Sequence, residues 1–230
     1  MGLINDRFEG VYASINAEGV ISVKVEEGTP GAKFKEYELR DGTKGSKWVL
    51  EYNKLDGFIT DVKFFDGNFG EQINVSIKDE SGEVILTLPL GSNYASDIMK
   101  KLPNIDFSKK VVIAPFSFED DKKKRKKGVT IYQENNKIKS FFSDEEGKTI
   151  NDFPVPAKEY DKMKTKDWTV YFIEVAEFLK NYTETNVCSK IEQACQANVI
   201  TFDESKAEEM SIDDIPFITP DEAFDDPKKE

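Results

Sequence analysis

The sequence predicts a mainly β protein in which a small barrel precedes C-terminal helices and an acidic tail. Between residues 46 and 142, apolar and polar residues alternate in short runs, which is the period of strands with one buried face. Turn-forming residues separate these runs. The 230 residues include 17 Phe and 8 Tyr, and 38% are hydrophobic, so the chain can build a core. Four regions are predicted: a strand and turn extension at 1–45, a barrel at 46–142, a linker with helices at 143–202, and a disordered tail at 203–230.

Each alternating run predicts one strand. The N-terminal region contains one such run, at Val20–Val25. Lys47 to Asp66 contains two strand halves around Asp56-Gly57, which predicts either a hairpin turn or a glycine bulge that bends one long strand. The other strands are predicted at Gln72–Lys78, Glu83–Leu90, Lys109–Phe118, Gly128–Gln133 and Lys137–Phe142.

Three helices are predicted from capping residues and from apolar spacing. Ser92 or Asn93 caps a short helix from Tyr94 to Leu102, which Pro103 stops. Asp167 caps a longer amphipathic helix, in which one stripe is expected to cover an end of the barrel or to pair with a second copy. That stripe consists of Trp168, Phe172, Val175, Leu179 and Tyr182. The third helix is predicted at Val187–Asn198.

The order of the elements favours one barrel type. A long bent strand, a two-stranded hairpin, a helix and then two more strands is the order of an OB-fold, a five-stranded barrel. Gly57 would let the first strand bend and serve both halves of the barrel. An OB-fold-like barrel is therefore the predicted core of this chain.

The residue inventory argues against catalysis. The chain has no histidine, which excludes His-dependent triads and His-ligated metals. It has neither a phosphate-binding GxxxxGK[ST] loop nor GxGxxG, so no cofactor and no metal are expected. Cys188 and Cys195, on one helix, would lie about 10 Å apart along its axis, too far for a disulfide, and are interpreted as half-buried thiols. The chain is predicted not to be an enzyme, although a carboxylate-metal nuclease stays a minor alternative.

Six consecutive cations, residues 122–127, follow the fourth barrel strand. In an OB-fold this segment is one of the loops that flank the nucleic-acid groove, and clustered cations bind phosphates by releasing counterions. The alternatives are a solvated hairpin loop, next to Glu119-Asp120-Asp121, or a nuclear localisation signal, which would not normally lie inside a hairpin.

Single-strand binding also requires aromatic rings on which bases stack. The aromatic candidates on or beside the strands include Phe58, Phe64, Phe116, Phe118, Phe141 and Phe142, most of which are expected in the core. Tyr132 is favoured because it alternates with buried-type residues, and Phe65 because it shares a face with Asp61 and Lys63. The predicted DNA-binding residues are Lys47, Trp48, Tyr52, Lys54, Lys63, Phe65, Phe69, Lys78, Lys109, Lys110, Lys122, Lys123, Lys124, Arg125, Lys126, Lys127, Tyr132, Lys137 and Lys139.

The tail holds most of the net charge. From residue 203 onward there are 11 Asp or Glu and 3 Lys, a net charge of -8 out of the -12 of the whole chain. Such acidic segments bury little surface and commonly bind partners. Within the tail, the run Asp213, Asp214, Ile215, Pro216 and Phe217 combines two carboxylates with an apolar cluster, and Phe224 lies in a second acidic cluster.

The run Asp213-Asp214-Ile215-Pro216-Phe217 resembles the C-terminal tip of bacterial single-stranded DNA-binding proteins, and the layout resembles phage-encoded proteins of that function. The resemblance covers five of 230 positions in sequence, and 13 residues follow Phe217, whereas the bacterial tip ends in Phe. It implies a protein that coats single strands, with a tail that recruits polymerase, primase or helicase and competes with DNA.

Together these observations predict a non-sequence-specific single-stranded DNA-binding protein of phage DNA replication, recombination and repair. A phage structural or assembly protein, using the barrel for subunit contacts, is the alternative, and a homodimer is one expectation. The sequence contains neither a secretory signal pattern nor an apolar run of membrane-spanning length, so a cytoplasmic location is expected, the host cytoplasm if phage-encoded.

Overall fold

A computed structural model of the chain describes residues 10–38, 42–67, 70–121 and 123–197, with backbone alone at position 160. Strands account for 43% of the structure and helices for 24%, as predicted for a mainly β protein. The strands are β1 (Val11–Ile15), β2 (Ile21–Val25), β3 (Lys33–Glu38), β4 (Lys44–Tyr52), β5 (Leu55–Gly67), β6 (Gly70–Asp79), β7 (Gly82–Pro89), β8 (Val111–Glu119), β9 (Arg125–Gln133) and β10 (Asn136–Lys137). The α-helices are α1 (Asn93–Met99), α2 (Thr165–Asn186) and α3 (Cys188–Ala197), with short 3-10 turns at Leu102–Asn104 and Tyr160–Lys162.

All ten strands belong to one open sheet with the order β10-β9-β8-β5-β6-β7-β1-β2-β4-β3. The pairs are antiparallel except β1 with β7, which run parallel. Apolar residues on one face of β5 to β9 form the core with the helices, and Ile73, Ile113 and Ile131 are fully buried there. The predicted closed barrel of five strands is not confirmed.

Gly57 lies at the point where β5 changes neighbours. Residues 55–57 pair with β8, and residues from Phe58 onward pair with β6. The φ angle of Gly57 is +149°, and a Cβ atom there would lie 2.7 Å from the carbonyl oxygen of Lys78. β4 and β5 are separate strands that are not neighbours in the sheet, so both a hairpin at Asp56-Gly57 and one long strand from Lys47 to Asp66 are wrong. The register shift of β5 lies between Ile59 and Asp61, and Gly57 instead permits the close approach of the Lys78 backbone.

Two contacts explain why the sheet stays open. β1 adds in parallel to the edge of β7. At the edge of β9, the Val129 amide donates to Asp97 Oδ2 at 2.6 Å, and the Val129 carbonyl accepts a hydrogen bond from Lys101 Nζ. These backbone groups are already satisfied, so among the described residues β7 and β9 do not pair with each other.

The N-terminal region contributes more strands than predicted. The strand at Val20–Val25 is confirmed as β2, but β1 and β3 were missed, and β4 begins at Lys44, inside the predicted extension. The sequence signal is weak because β3 is largely exposed and its two aromatic residues, Phe34 and Tyr37, are three positions apart, which breaks the period of two. The predicted strand at Lys137–Phe142 is wrong beyond residue 137, because Phe141 and Phe142 pack with α2 residues instead.

The helices differ from prediction at their ends. Ser92 caps α1, as expected, through a hydrogen bond from the Ala95 amide to Ser92 Oγ at 3.1 Å. Asp167 is not the cap of α2; it lies in the first turn, and its Oδ2 accepts the Lys164 amide at 2.9 Å. Val175 and Leu179 of the predicted stripe are buried, but Phe172 is 58% exposed.

The two cysteines lie on α3, as expected, and both are half-buried free thiols. Cys188 Sγ lies 3.6 Å from the carbonyl oxygen of Val62, and Cys195 Sγ lies 3.5 Å from that of Thr60. Burial raises the pKa of both thiols, which keeps them protonated against β5. Their environment is that of packing residues rather than reactive thiolates.

Candidate nucleic-acid interface

The cationic run forms the tip and the first residues of the β8–β9 hairpin. The Asp120 amide donates to the Lys124 carbonyl at 2.9 Å, and Asp120 Oδ1 accepts the Lys124 amide at 2.8 Å, so the turn is held by its own residues. The prediction of six loop cations is partly wrong, because Arg125, Lys126 and Lys127 already belong to β9. Lysine and arginine fit an edge strand because their charged ends remain in solvent.

The hairpin tip carries a net positive charge. Residues 119–127 contain six bases and three acids. Lys123, Lys124, Arg125 and Lys126 are exposed. Lys126 forms an ion pair of 3.6 Å with Asp120, and Arg125 Nε donates to Ser117 Oγ at 3.1 Å. Exposed ion pairs are weak, so phosphates can compete for these cations.

An aromatic residue accompanies the cations. Phe118 is 52% exposed and lies opposite Lys126 in the β8–β9 register. The ring centroid of Phe118 is 5.7 Å from that of Phe116, which lies opposite Gly128. Phe118 was one of the aromatic candidates in the sequence but was not among the predicted DNA-binding residues. Its position at the end of a predicted strand, next to the cations, could have indicated that its ring is exposed.

A second aromatic and cationic cluster lies near the other end of the hairpin, which we call the Tyr132 cluster. Its cross-strand pairs are Tyr132 with Lys137 and Phe58 with Lys78. Phe58, Tyr132, Lys109 and Lys110 line a surface cavity of about 440 Å³. The structure thus brings together five predicted residues, Lys78, Lys109, Lys110, Tyr132 and Lys137, and adds Phe58, which was a general candidate.

Lys109 and Lys110 of this cluster already have acidic partners. Lys109 Nζ lies 3.0 Å from Glu134, which raises the pKa of Lys109. Lys110 Nζ lies 3.6 Å from Glu80 and 5.8 Å from the ring centroid of Phe58. A phosphate would have to displace these exposed carboxylates to reach Lys109 or Lys110.

The two ends share one face of the hairpin. Directly paired residues in antiparallel strands point to the same face, and the faces alternate along each strand. Phe118–Lys126 and Val112–Tyr132 are both directly paired, and they are six positions apart along each strand, an even offset that keeps them on one face. Lys126 and Tyr132 are six positions apart in the strand, which corresponds to about 20 Å along it.

Lys127 points to the opposite face. It lines a second cavity of about 440 Å³ together with Lys100, Phe153, Tyr171 and Phe172. Lys100 Nζ is 4.9 Å from the ring centroid of Phe153, and burial lowers the pKa of Lys100. Sequence reasoning missed these residues: Phe172 was assigned to a stripe that covers the barrel or pairs with a second copy, and Lys100, Phe153 and Tyr171 lie outside that stripe.

Predicted residues of β4 do not meet as one group. Trp48 contacts Phe34, with ring centroids 5.3 Å apart. Lys47 points to the other face, where its Nζ is 5.9 Å from the ring of Tyr37. Tyr52, at the end of β4, and Lys54, in the following turn, are exposed.

The remaining predicted residues are dispersed. Lys63 on β5 is paired with Asp61 at 2.5 Å, and Phe65 on the same strand is 40% exposed. Lys139 is paired with Glu145 at 3.0 Å. Phe69, Lys122 and the tail residues Asp213, Asp214, Ile215, Pro216, Phe217 and Phe224 lie outside the described residues.

The described part of the chain contains neither a metal centre nor a membrane-spanning helix. Among the described residues, no group of three or more Cys, Asp or Glu side chains could hold a metal ion. Within the same part of the chain, no helix is long and apolar enough to cross a membrane. Comparisons with protein-family models, curated proteins and solved structures found no match to this chain.

Proposed function

We propose that this chain binds single-stranded DNA without sequence specificity, in phage DNA replication, recombination and repair. The observation that carries the proposal is one face of strands β8, β9 and β10, where Phe118 pairs with Lys126 and Tyr132 pairs with Lys137. Aromatic rings stack on any base, and lysines bind any phosphate. The two aromatic and lysine pairs, spaced along one strand, could therefore bind successive nucleotides of a single strand of any sequence.

The proposed core resembles an OB-fold and consists of strands β5 to β9. Within the sheet these strands have the order β9-β8-β5-β6-β7, with α1 between β7 and β8 in the chain. This is the strand order expected of an OB-fold that is opened between its third and fifth strands. In that interpretation, the cationic turn of the β8–β9 hairpin is a loop that flanks the ligand groove.

The acidic tail has two proposed roles. Its two acidic and aromatic clusters recruit polymerase, primase or helicase, and its carboxylates compete with DNA. The support is the sequence of the tail and its net charge of -8.

The test is a fluorescence anisotropy titration of a labelled oligo-dT with the full chain at two salt concentrations. The same sequence as a duplex serves as the control. We expect tight, salt-dependent binding of the single strand and weak binding of the duplex.

A second chain that lacks residues 203–230 separates the tail from the interface. If the tail competes with DNA, its deletion tightens binding; weaker binding after deletion would contradict competition. Failure of both chains to bind oligo-dT at low salt would overturn the proposed function itself.

The second candidate function is that of a phage structural or assembly protein. Its support is the exposed apolar surface of α2, where Val170, Phe172 and Ile173 are each about half exposed, at 47%, 58% and 52%. Stable large oligomers without any affinity for single strands would favour this function over the first.

A further inference from the structure

The solvent side of α2 carries a short stripe with two aliphatic residues at its centre. Val170 is 47% exposed and Ile173 is 52% exposed. Lys166 and Glu177, which are also exposed, continue the stripe at either end. The successive spacings of four, three and four residues place all four side chains on one face, as in the seam between paired helices.

This stripe is not the face that α2 packs on its own core. The buried side chains of the helix are Val175, Leu179 and Thr183. At 100° per residue, their mean direction is nearly opposite to that of the stripe. One turn beyond Glu177, Lys180 is held by Glu71 at 2.6 Å, so the free part of the stripe ends there.

The stripe is self-complementary under a two-fold axis. When two identical helices pack antiparallel, positions at equal distances on opposite sides of the axis meet. An axis between residues 171 and 172 places Val170 against Ile173 of the second copy. The same axis places Lys166 against Glu177 of the second copy, and this contact occurs twice.

The charges that this arrangement needs are available. Among the described residues, no opposite charge lies within 4.0 Å of Lys166 or Glu177. An apolar centre with complementary charges at both ends favours one orientation, since parallel pairing in register would place like charges together.

We propose that a second copy of this chain docks antiparallel on the α2 stripe. The contact differs from the buried stripe that the sequence suggested for pairing, and it does not depend on the proposed DNA binding. Four side chains from each copy cover less surface than the 1,200 Å² or so of a stable interface, so the dimer forms reversibly as concentration rises.

The test is sedimentation equilibrium of the full chain over a wide concentration range at low salt. Lys166→Glu and Glu177→Lys each replace two attractions with two repulsions, so each is expected to weaken the dimer about tenfold. The double variant Lys166→Glu/Glu177→Lys restores the pairing and should recover the original dissociation constant. Ile173→Asp places a charge at the centre and should abolish the dimer.

Lys190→Glu, an exposed charge reversal on α3, is the matched control and should leave the dimer unchanged. Circular dichroism of each variant checks that the fold is retained. A monomer at all concentrations would overturn the proposal. A dimer that is insensitive to the single reversals, or one that the double reversal fails to restore, would overturn it as well.

Discussion

Asp97 and Lys101, one helical turn apart, together satisfy both backbone groups of Val129 at the edge of β9. Asp97 Oδ1 lies 2.7 Å from Lys101 Nζ, Asp97 Oδ2 accepts the Val129 amide, and Lys101 donates to the Val129 carbonyl. Lys101 is 7% exposed. The ion pair therefore protects a strand edge that would otherwise be open for pairing.

Removal of one partner should be strongly destabilising. Asp97→Ala leaves a buried ammonium without its carboxylate and an amide without its acceptor, so we expect a loss of about 3–5 kcal/mol of unfolding free energy. Urea unfolding measures it. Glu145→Ala, which removes an exposed partner of Lys139, is the control and should cost far less. Equal effects of the two variants would contradict the edge-protection role.

Gly57 should tolerate no side chain. Gly57→Ala combines a positive φ with a Cβ contact of 2.7 Å to the backbone of Lys78, so we expect a loss of at least about 2 kcal/mol in urea unfolding. Gly82→Ala separates the two causes, because Gly82 has φ +141° but open space around its Cβ position. The smaller loss of unfolding free energy expected for Gly82→Ala reports backbone strain alone. An equal loss in the two variants would mean that the close contact with the Lys78 backbone contributes nothing.

The hairpin cations should set the salt dependence of DNA binding. The triple variant Lys123→Ala/Lys124→Ala/Arg125→Ala removes three exposed charges next to Phe118. For three lost phosphate contacts, the slope of log K against log salt should become shallower by about 2. Titrations of oligo-dT at several salt concentrations give the slope. Alanine at Lys148, Lys162 and Lys190, all exposed and remote in sequence, removes the same charge and should change the slope less.

The rings of Phe118 and Tyr132 should each contribute to the affinity for single-stranded DNA without sequence preference. Phe118→Ala and Tyr132→Ala are each expected to weaken oligo-dT binding by about 1–3 kcal/mol, with little change in the salt slope. Tyr12→Ala, at a tyrosine that is 63% exposed on β1, serves as the control. If Tyr12→Ala weakens binding as much as the other two, the interface is not the hairpin face.

Acidic pH should remove the contribution of Glu51 to the stability of the fold. Hydrogen bonds from Lys35 and Lys33 hold the pKa of Glu51 below its ordinary value of 4.5. Because the folded pKa is lowered, the carboxylate stabilises the fold at pH values above 4.5, and this contribution is lost as the pH falls through the lowered pKa. Glu51→Gln should therefore be less stable than the natural chain at neutral pH, with a difference that shrinks in acid.

Urea unfolding at neutral and acidic pH measures this difference. In a chain that also carries Lys33→Ala and Lys35→Ala, Glu51→Gln should have a much smaller effect at neutral pH, because the partners are gone. An undiminished effect there would show that the two lysines are not the cause.

Several predictions from sequence were confirmed because they depend on local signals. Period-two alternation located β6, β7 and β8 within a few residues, and the Ser92 cap marked the start of α1. Other elements were missed or misplaced because their partners decide them. Phe141 and Phe142 alternate like strand residues, yet they pack against Tyr182 and Phe178 of α2.

The candidate interface also combines features that the sequence predicts with features that depend on the fold. The cationic run and the preference for Tyr132 followed from composition and alternation. The pairing of Phe58 with Lys78, and the place of Phe58 and Tyr132 in one cavity, depend on strand register, which links residues far apart in the chain.

The mainly β class, the alternating faces of β6 to β8, the cationic run and the absence of histidine chemistry can all be read from residue type and short-range spacing. The place of β1 at the edge of β7, and of the Asp97–Lys101 pair at the edge of β9, depends on the folded chain. Backbone amides and carbonyls are the same in every residue, so the partner that satisfies a strand edge depends on what the fold brings within hydrogen-bonding distance.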